Sequence, residues 1–191
     1  GPVHQRDEQF LWHKFQKSCN AFFNLKKTAR KQQDQDKDKN NEAKAAVIRA
    51  VKETEDLNNE SLLAILKAWW LTNEDFTRKS IQYLKDLEKA FAVKGLNFKE
   101  SETTFFDEKM EVYSSFKNKV DLINRDKIFV QEQIGKVQKE ITQYENNLGF
   151  FGNSKGANPL LQGVHDKIEI LQKEVNAFKA QLTKMNKVLK G

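Results

Sequence analysis

Leu161-Gln-Gly-Val164-His-Asp-Lys-Ile168-Glu-Ile-Leu171-Gln-Lys-Glu-Val175-Asn-Ala-Phe178-Lys-Ala-Gln-Leu182-Thr-Lys-Met185-Asn-Lys-Val-Leu189 decides the fold. Leu161, Val164, Ile168, Leu171, Val175, Phe178, Leu182, Met185 and Leu189 alternate in steps of three and four without a miss. A sustained apolar repeat of 3.5 residues is the seam of a coiled coil. Upstream, Phe106, Lys109, Tyr113, Phe116, Val120, Ile123, Lys127, Val130, Ile134, Val137, Ile141, Tyr144 and Leu148 keep the same rhythm, apolar except at Lys109 and Lys127. Between the two runs stands Gly149-Phe-Phe-Gly-Asn-Ser-Lys-Gly-Ala-Asn158, followed by Pro159. Gly149 fits a left-handed C-cap, and Asn158-Pro159 fits an N-cap followed by the first helical position. A turn this short joins helices only antiparallel. The pattern predicts an antiparallel coiled-coil hairpin over 98–191, turning at 149–158. Its first helix would start near Ser101, and the seam from Phe106 to Leu148 would alone be roughly 64 Å long. A compact chain of this length has a radius of gyration of only about 16 Å, so the hairpin is expected to protrude.

The remainder agrees with an all-α, elongated protein. Apolar residues are 38% and charged residues 31% of 191, so core material is scarce and solvated surface plentiful. No proline or glycine falls between Val3 and Lys94, or from Leu96 to Ile134. Sandwiches, barrels and dinucleotide-binding sheets need such breakers at regular intervals. One cysteine excludes an internal disulfide framework. The three histidines lie far apart, which argues against a zinc or di-metal site. The longest apolar-rich window, residues 61–71, is too short to span a bilayer and is interrupted by Lys67. A soluble, cytoplasmic protein is expected, with no membrane association.

Residues 1–97 read as a helical module. Trp12, Phe15, Cys19 and Phe22 form one face. The same phase, carried through the polar run Thr28–Glu42, lands on Ala43, Val47, Ala50 and Leu57, which favours one long helix over 7–57, stopped by Asn58-Asn59. A short helix follows over 60–71. Asn73, with Glu74 and Asp75, reads as the N-cap of another helix, which carries Ile81, Leu84, Leu87 and Phe91 and stops at Gly95. Trp12, Phe15 and Phe22 match Ile81, Leu84 and Phe91 at a constant offset, a degenerate second copy near 74–95.

The opening Gly1-Pro-Val-His-Gln-Arg-Asp-Glu-Gln-Phe-Leu-Trp-His-Lys-Phe-Gln-Lys-Ser-Cys-Asn-Ala-Phe-Phe resembles family 349 of the bacterial domains of unknown function, whose signature runs Gly-x-Val-Pro, a polar stretch, then Leu-Trp-x-x-Phe and a Phe-Phe pair. The stretch from Glu145 to Leu161, with its Leu-Gly-Phe-Phe-Gly-Asn-Ser-Lys-Gly-Ala-Asn-Pro core, is similar to the C-terminal region of its multi-repeat members. His4 replaces the family proline, and the second copy lacks the tryptophan and the Gly-x-Val-Pro lead. Gly1-Pro2 fits both the family motif and a protease-cleavage scar. Because the chain begins inside the motif, the resemblance implies the C-terminal part of a longer repeat protein. It implies little about activity.

No catalytic constellation emerges. The carboxylates sit among lysines, and Ser, Cys and His show no triad spacing. Cys19 reads as a small core residue, Trp69-Trp70 as core, and Lys127 as a seam residue whose stem packs while its ammonium reaches solvent. Gly152-Asn-Ser-Lys-Gly156 lacks the phosphate-loop pattern. Two surfaces carry functional weight. Phe150 and Phe151, with Asn153, Ser154 and Lys155, form the hairpin tip, where the aromatic pair either plugs the open end of the coiled coil or, as we expect, serves as a contact site for a partner. Lys179, Lys184, Lys187 and Lys190 follow the last acid, Glu174. Lysines near a helix C-terminus are expected from its dipole, which favours a solvated face, and nucleic-acid contact is the alternative for these four. The expected function is a non-enzymatic interaction or scaffold module for a protein or protein–RNA assembly, without cofactor, metal or small-molecule substrate. The alternative is sequence-independent nucleic-acid binding through Lys/Arg faces, permitted by a net charge of +6.

Overall fold

The computed structural model describes residues 9–21, 33–151 and 158–191. Helix α1 covers residues 9–21. It is followed by α2 (Gln33–Glu53), α3 (Asn59–Thr72), a 3-10 turn (Asn73–Asp75), α4 (Arg78–Val93), α5 (Phe98–Thr104), α6 (Phe106–Ser114), α7 (Lys119–Phe151) and α8 (Asn158–Lys190). No strand occurs among the described residues, and the protein is all-α. Internal contacts divide the chain into two units, Gly1–Phe116 and Lys117–Gly191, a later division than the boundary after residue 97 read from sequence. The continuity of a helix over 7–57 rests in part on residues outside the described ones.

In the first unit, α2 packs on α3 and α4, and α3 on α6. Val47 and Val51 of α2, Ile65, Leu66, Trp69 and Trp70 of α3, and Leu87 and Phe91 of α4 make its core. Phe98 joins them edge-on, its ring 5.3 Å from that of Phe91 and 6.3 Å from that of Trp69, the perpendicular approach that aromatic quadrupoles favour. Trp69-Trp70 is therefore core, as its apolar context predicts. Ile81, placed by sequence on the same face as Leu87, is instead 47% exposed.

The helix ends are set by local hydrogen bonds, and several differ from the sequence-based expectation. Helix α2 stops at Glu53, where the Thr54 hydroxyl donates to Ala50 O at 2.6 Å. Asn58 does not close that helix. It caps α3, its Oδ1 accepting from Ser61 N at 2.9 Å. Asn73 is the C-cap of α3 and opens the 3-10 turn. The N-terminus of α4 belongs to Thr77 and Ser80, which satisfy each other's backbone N–H groups in a capping box.

Gly95 does end α4. At φ +75° it is the one described residue in the left-handed region. Leu96 N donates to Phe91 O and Gly95 N to Ala92 O, the paired bonds of a Schellman stop. A Cβ meets nothing within 4 Å there, so the strain of Gly95→Ala is purely conformational. We expect it to destabilise the protein by about 1 kcal/mol, measured as a lower urea midpoint with an unchanged slope.

The expected single helix from Ser101 to Leu148 is broken twice. Asn97, not Ser101, begins it: Asn97 Oδ1 accepts from Glu100 N at 3.0 Å. Thr103 and Thr104 hydroxyls donate back to Lys99 O and Glu100 O before the break at Phe105. Ser114 and Ser115 do the same to Glu111 O at 2.7 Å and Val112 O at 2.6 Å before the break ahead of Lys119. Hydroxyls that compete for backbone carbonyls weaken a helix locally, and here they do so without disturbing the apolar spacing. Phe106, Lys109, Tyr113 and Phe116, read as seam, belong to the first unit.

Candidate functional site

The second unit is a helical hairpin. Helices α7 and α8, 33 residues each, pack along one another and span about 50 Å apiece. In α8 Leu171, Val175 and Met185 are buried, and the other six seam residues are half-buried. In α7 Ile123, Val130, Ile134, Val137 and Ile141 are buried, while Lys127, Tyr144 and Leu148 are half-buried. Val120, near the start of α7, is 47% exposed. The intervening positions are mostly exposed, so the 3.5-residue period locates the seam.

The tip differs from expectation in one respect. Gly149 is not a C-cap. It adopts no positive φ, and α7 runs through it to Phe151. A glycine weakens a helix interior by about 1 kcal/mol relative to alanine but does not by itself end it. The extra turn carries Phe150 beyond Leu148 on helical geometry, and its ring is 85% exposed, as bare as any large apolar side chain described. Phe151 is the last residue of α7. Asn153, Ser154 and Lys155 lie outside the described residues. Asn158 and Pro159 are the first two residues of α8.

Lys179, Lys184, Lys187 and Lys190 are all exposed on α8. At about 100° per residue, Lys179, Lys187 and Lys190 fall within an arc of about 80°, and Lys184 lies about 140° from Lys179. Three of the four therefore share a face. Lys187 and Lys190 occupy the last turn, where they also answer the helix dipole.

The first unit holds a polar cluster that the sequence reading did not find. Lys44 is fully buried. Its Nζ donates to Thr72 Oγ1 at 2.7 Å, to Thr72 O at 3.1 Å and to Asn73 Oδ1 at 3.4 Å, and sits 4.6 Å from the Trp69 ring centroid. Asn40 Nδ2 also donates to Thr72 O, at 3.0 Å. Asn73 Nδ2 donates to the Tyr113 hydroxyl at 2.9 Å. Beyond Tyr113, Lys109 pairs with Glu102 at 3.1 Å, and Glu102 accepts from Trp70 Nε1 at 2.8 Å. The chain of contacts ties α2, α3, α5 and α6 together. Lys44 does carry a signal: it lies three, four and seven residues before Val47, Ile48 and Val51, in phase with a buried face. Lys109, a polar residue at an apolar position, is another.

Cys19 is half-buried on α1, beside the Trp12–Phe15 pair whose centroids are 5.6 Å apart. Burial pushes its thiol up to about 11, against 9.0 for a free thiol. That disfavours the thiolate and agrees with a packing role rather than a nucleophilic one.

Among the described residues no helix is long and apolar enough to cross a membrane. Comparison with protein-family models, with curated proteins and with solved structures finds no match in any of the three.

Proposed function

We propose that the protein is a non-enzymatic, cytoplasmic interaction module that engages a protein or protein–RNA assembly through its hairpin tip, and that it belongs with family 349 of the bacterial domains of unknown function. The observation that carries the reading is Phe150. A helical hairpin needs only a small polar turn, whereas this one ends in an aromatic side chain that is 85% exposed. Exposed aromatics invite association, and interfaces concentrate their energy in such anchors. The Leu-Gly-Phe-Phe-Gly-Asn-Ser-Lys sequence that supports the family resemblance is the same sequence that contains Phe150. The test is affinity purification of the tagged protein with mass spectrometry, with and without nuclease, beside a Phe150→Ser variant. A specific protein that is captured by the native chain and lost with Phe150→Ser supports the reading. A set of proteins unchanged by the substitution refutes it.

The shared face of Lys179, Lys187 and Lys190 supports the second reading, nucleic-acid binding without sequence preference. A few lysines release few counterions, so binding should be weak and should fall steeply with salt. In fluorescence anisotropy we expect single- and double-stranded RNA and DNA to bind alike at low salt and to be released by physiological salt. Micromolar or tighter binding that survives physiological salt and discriminates sequence would make nucleic acid the primary ligand.

A further inference from the structure

We propose that the cleft between the C-terminal ends of α2 and α4 is a docking groove for an acidic, amphipathic helix of a partner protein. The proposal rests on the interaction-module reading and adds to the tip a surface of different chemistry. The cleft has a volume of about 460 Å³ and opens to solvent. Ile48 of α2 and Ala90 and Val93 of α4 give it an apolar lining, and Lys52, Asp86, Lys89 and Lys94 complete it. Asp86, Lys89, Ala90 and Val93 stand at spacings of three, four and seven along α4, so they form one stripe. Val93 is 85% exposed, although Ala90, one turn earlier, is buried.

Charge selects the occupant. Three lysines face one aspartate, and that aspartate already accepts from Gln82 at 3.0 Å. Among the described residues no ion pair engages Lys52, Lys89 or Lys94. The helix dipole accounts for Lys52 in the last turn of α2 and Lys94 at the C-cap of α4. It does not account for Lys89, a full turn earlier, or for a valine left bare between lysines. A bare valine beside the buried Ile48 and Ala90, flanked by lysines, is the complement of a helix with leucines on one face and carboxylates beside them, the helix-in-groove mode of recognition. A phosphate backbone would use the lysines and leave Val93 uncovered.

The probe is a synthetic peptide of about twenty residues, past the length at which isolated helices are marginal in water, with leucines at spacings of three, four and seven and glutamates on either side. Controls are a permuted peptide of the same composition with the leucines spread around the helix, and a uridine-rich RNA oligomer. Anisotropy is read on the full 191-residue chain. We expect the patterned peptide to bind, and the permuted peptide, Val93→Asp, and the triple variant Lys52→Glu/Lys89→Glu/Lys94→Glu each to weaken binding about tenfold. Phe150→Ser should leave it unchanged. Lys52, Lys89 and Val93 are exposed and Lys94 is half-buried, and helical melting by circular dichroism confirms that each variant is folded. The proposal is overturned if the patterned peptide does not bind, if the permuted peptide binds equally, or if Val93→Asp has no effect. RNA held more tightly than the peptide, and lost in the same lysine variant, would also overturn it and reassign the surface to nucleic acid. The two surfaces fail separately. A partner lost with Phe150→Ser, with no peptide binding, removes the groove and keeps the tip. A partner indifferent to Phe150→Ser but lost with Val93→Asp does the reverse.

Discussion

Lys44→Ala is expected to destabilise the protein by about 3 kcal/mol, more than any other single substitution considered above. Truncation empties the volume of a fully buried stem, and large-to-small core changes of this kind cost about 2–5 kcal/mol. It also takes the Nζ donor from Thr72 Oγ1 and Asn73 Oδ1 in a buried setting, and a buried acceptor without a donor costs about 1–3 kcal/mol. Thr72 O keeps the bond from Asn40 Nδ2, which limits the loss. Lys44→Met separates the two contributions. It keeps most of the stem volume and places a polarisable sulfur near Trp69, so the expected loss is about half as large. Urea unfolding followed by tryptophan fluorescence suits the measurement, because Nζ lies 4.6 Å from the Trp69 ring. A loss below about 1 kcal/mol for Lys44→Ala would mean that the lysine is solvated and the cluster does not hold the first unit together.

This cluster and the hairpin mark the two limits of what the sequence discloses. Leu161 through Leu189 locate the buried face of α8 because each residue's burial is fixed by its own helix, and a 3.5-residue period needs no knowledge of the partner. Lys44, by contrast, meets Thr72 and Asn73 across 28 and 29 residues, and Asn73 meets Tyr113 across 40. No periodicity in one helix announces a bond to another. The helix breaks were illegible for the opposite reason. Ser114 and Ser115 end α6 by bonds to carbonyls only three residues back, too local to interrupt an apolar stripe that continues from Tyr113 through Phe116 into α7. Asn73 misled similarly. Its side chain suits a cap, but that side chain is drawn inward to Tyr113 and Lys44, and Thr77 caps α4 instead. Of the candidate site, the aromatic pair was visible as residues out of place in a turn. That the helix continues past Gly149 to carry Phe150 outward was not, because a glycine at a helix end reads as a stop.

The substitution of both Phe150 and Phe151 by serine is expected to abolish partner capture while leaving the melting temperature within about 2 °C of the native value, since surface changes rarely exceed about 0.5 kcal/mol. Two roles for the pair make opposite forecasts. A plug over the open end of the seam would be buried against Leu148 and Leu161, and its removal would uncover those leucines and lower the melting temperature. A contact site would be bare in the free protein, and its removal would leave stability alone. Phe150 is 85% exposed, whereas Leu148 and Leu161 are each half-buried without it. That exposure is what the contact-site role forecasts, and a well-covered aromatic anchor is worth about 2 kcal/mol or more to an interface, over tenfold in affinity. Both quantities come from one double variant: melting followed by circular dichroism, and capture of the partner identified by affinity purification. A lowered melting temperature with capture intact would place Phe150 and Phe151 in the core of the hairpin and move the contact site elsewhere, with the lysine-lined groove between α2 and α4 as the next surface to test.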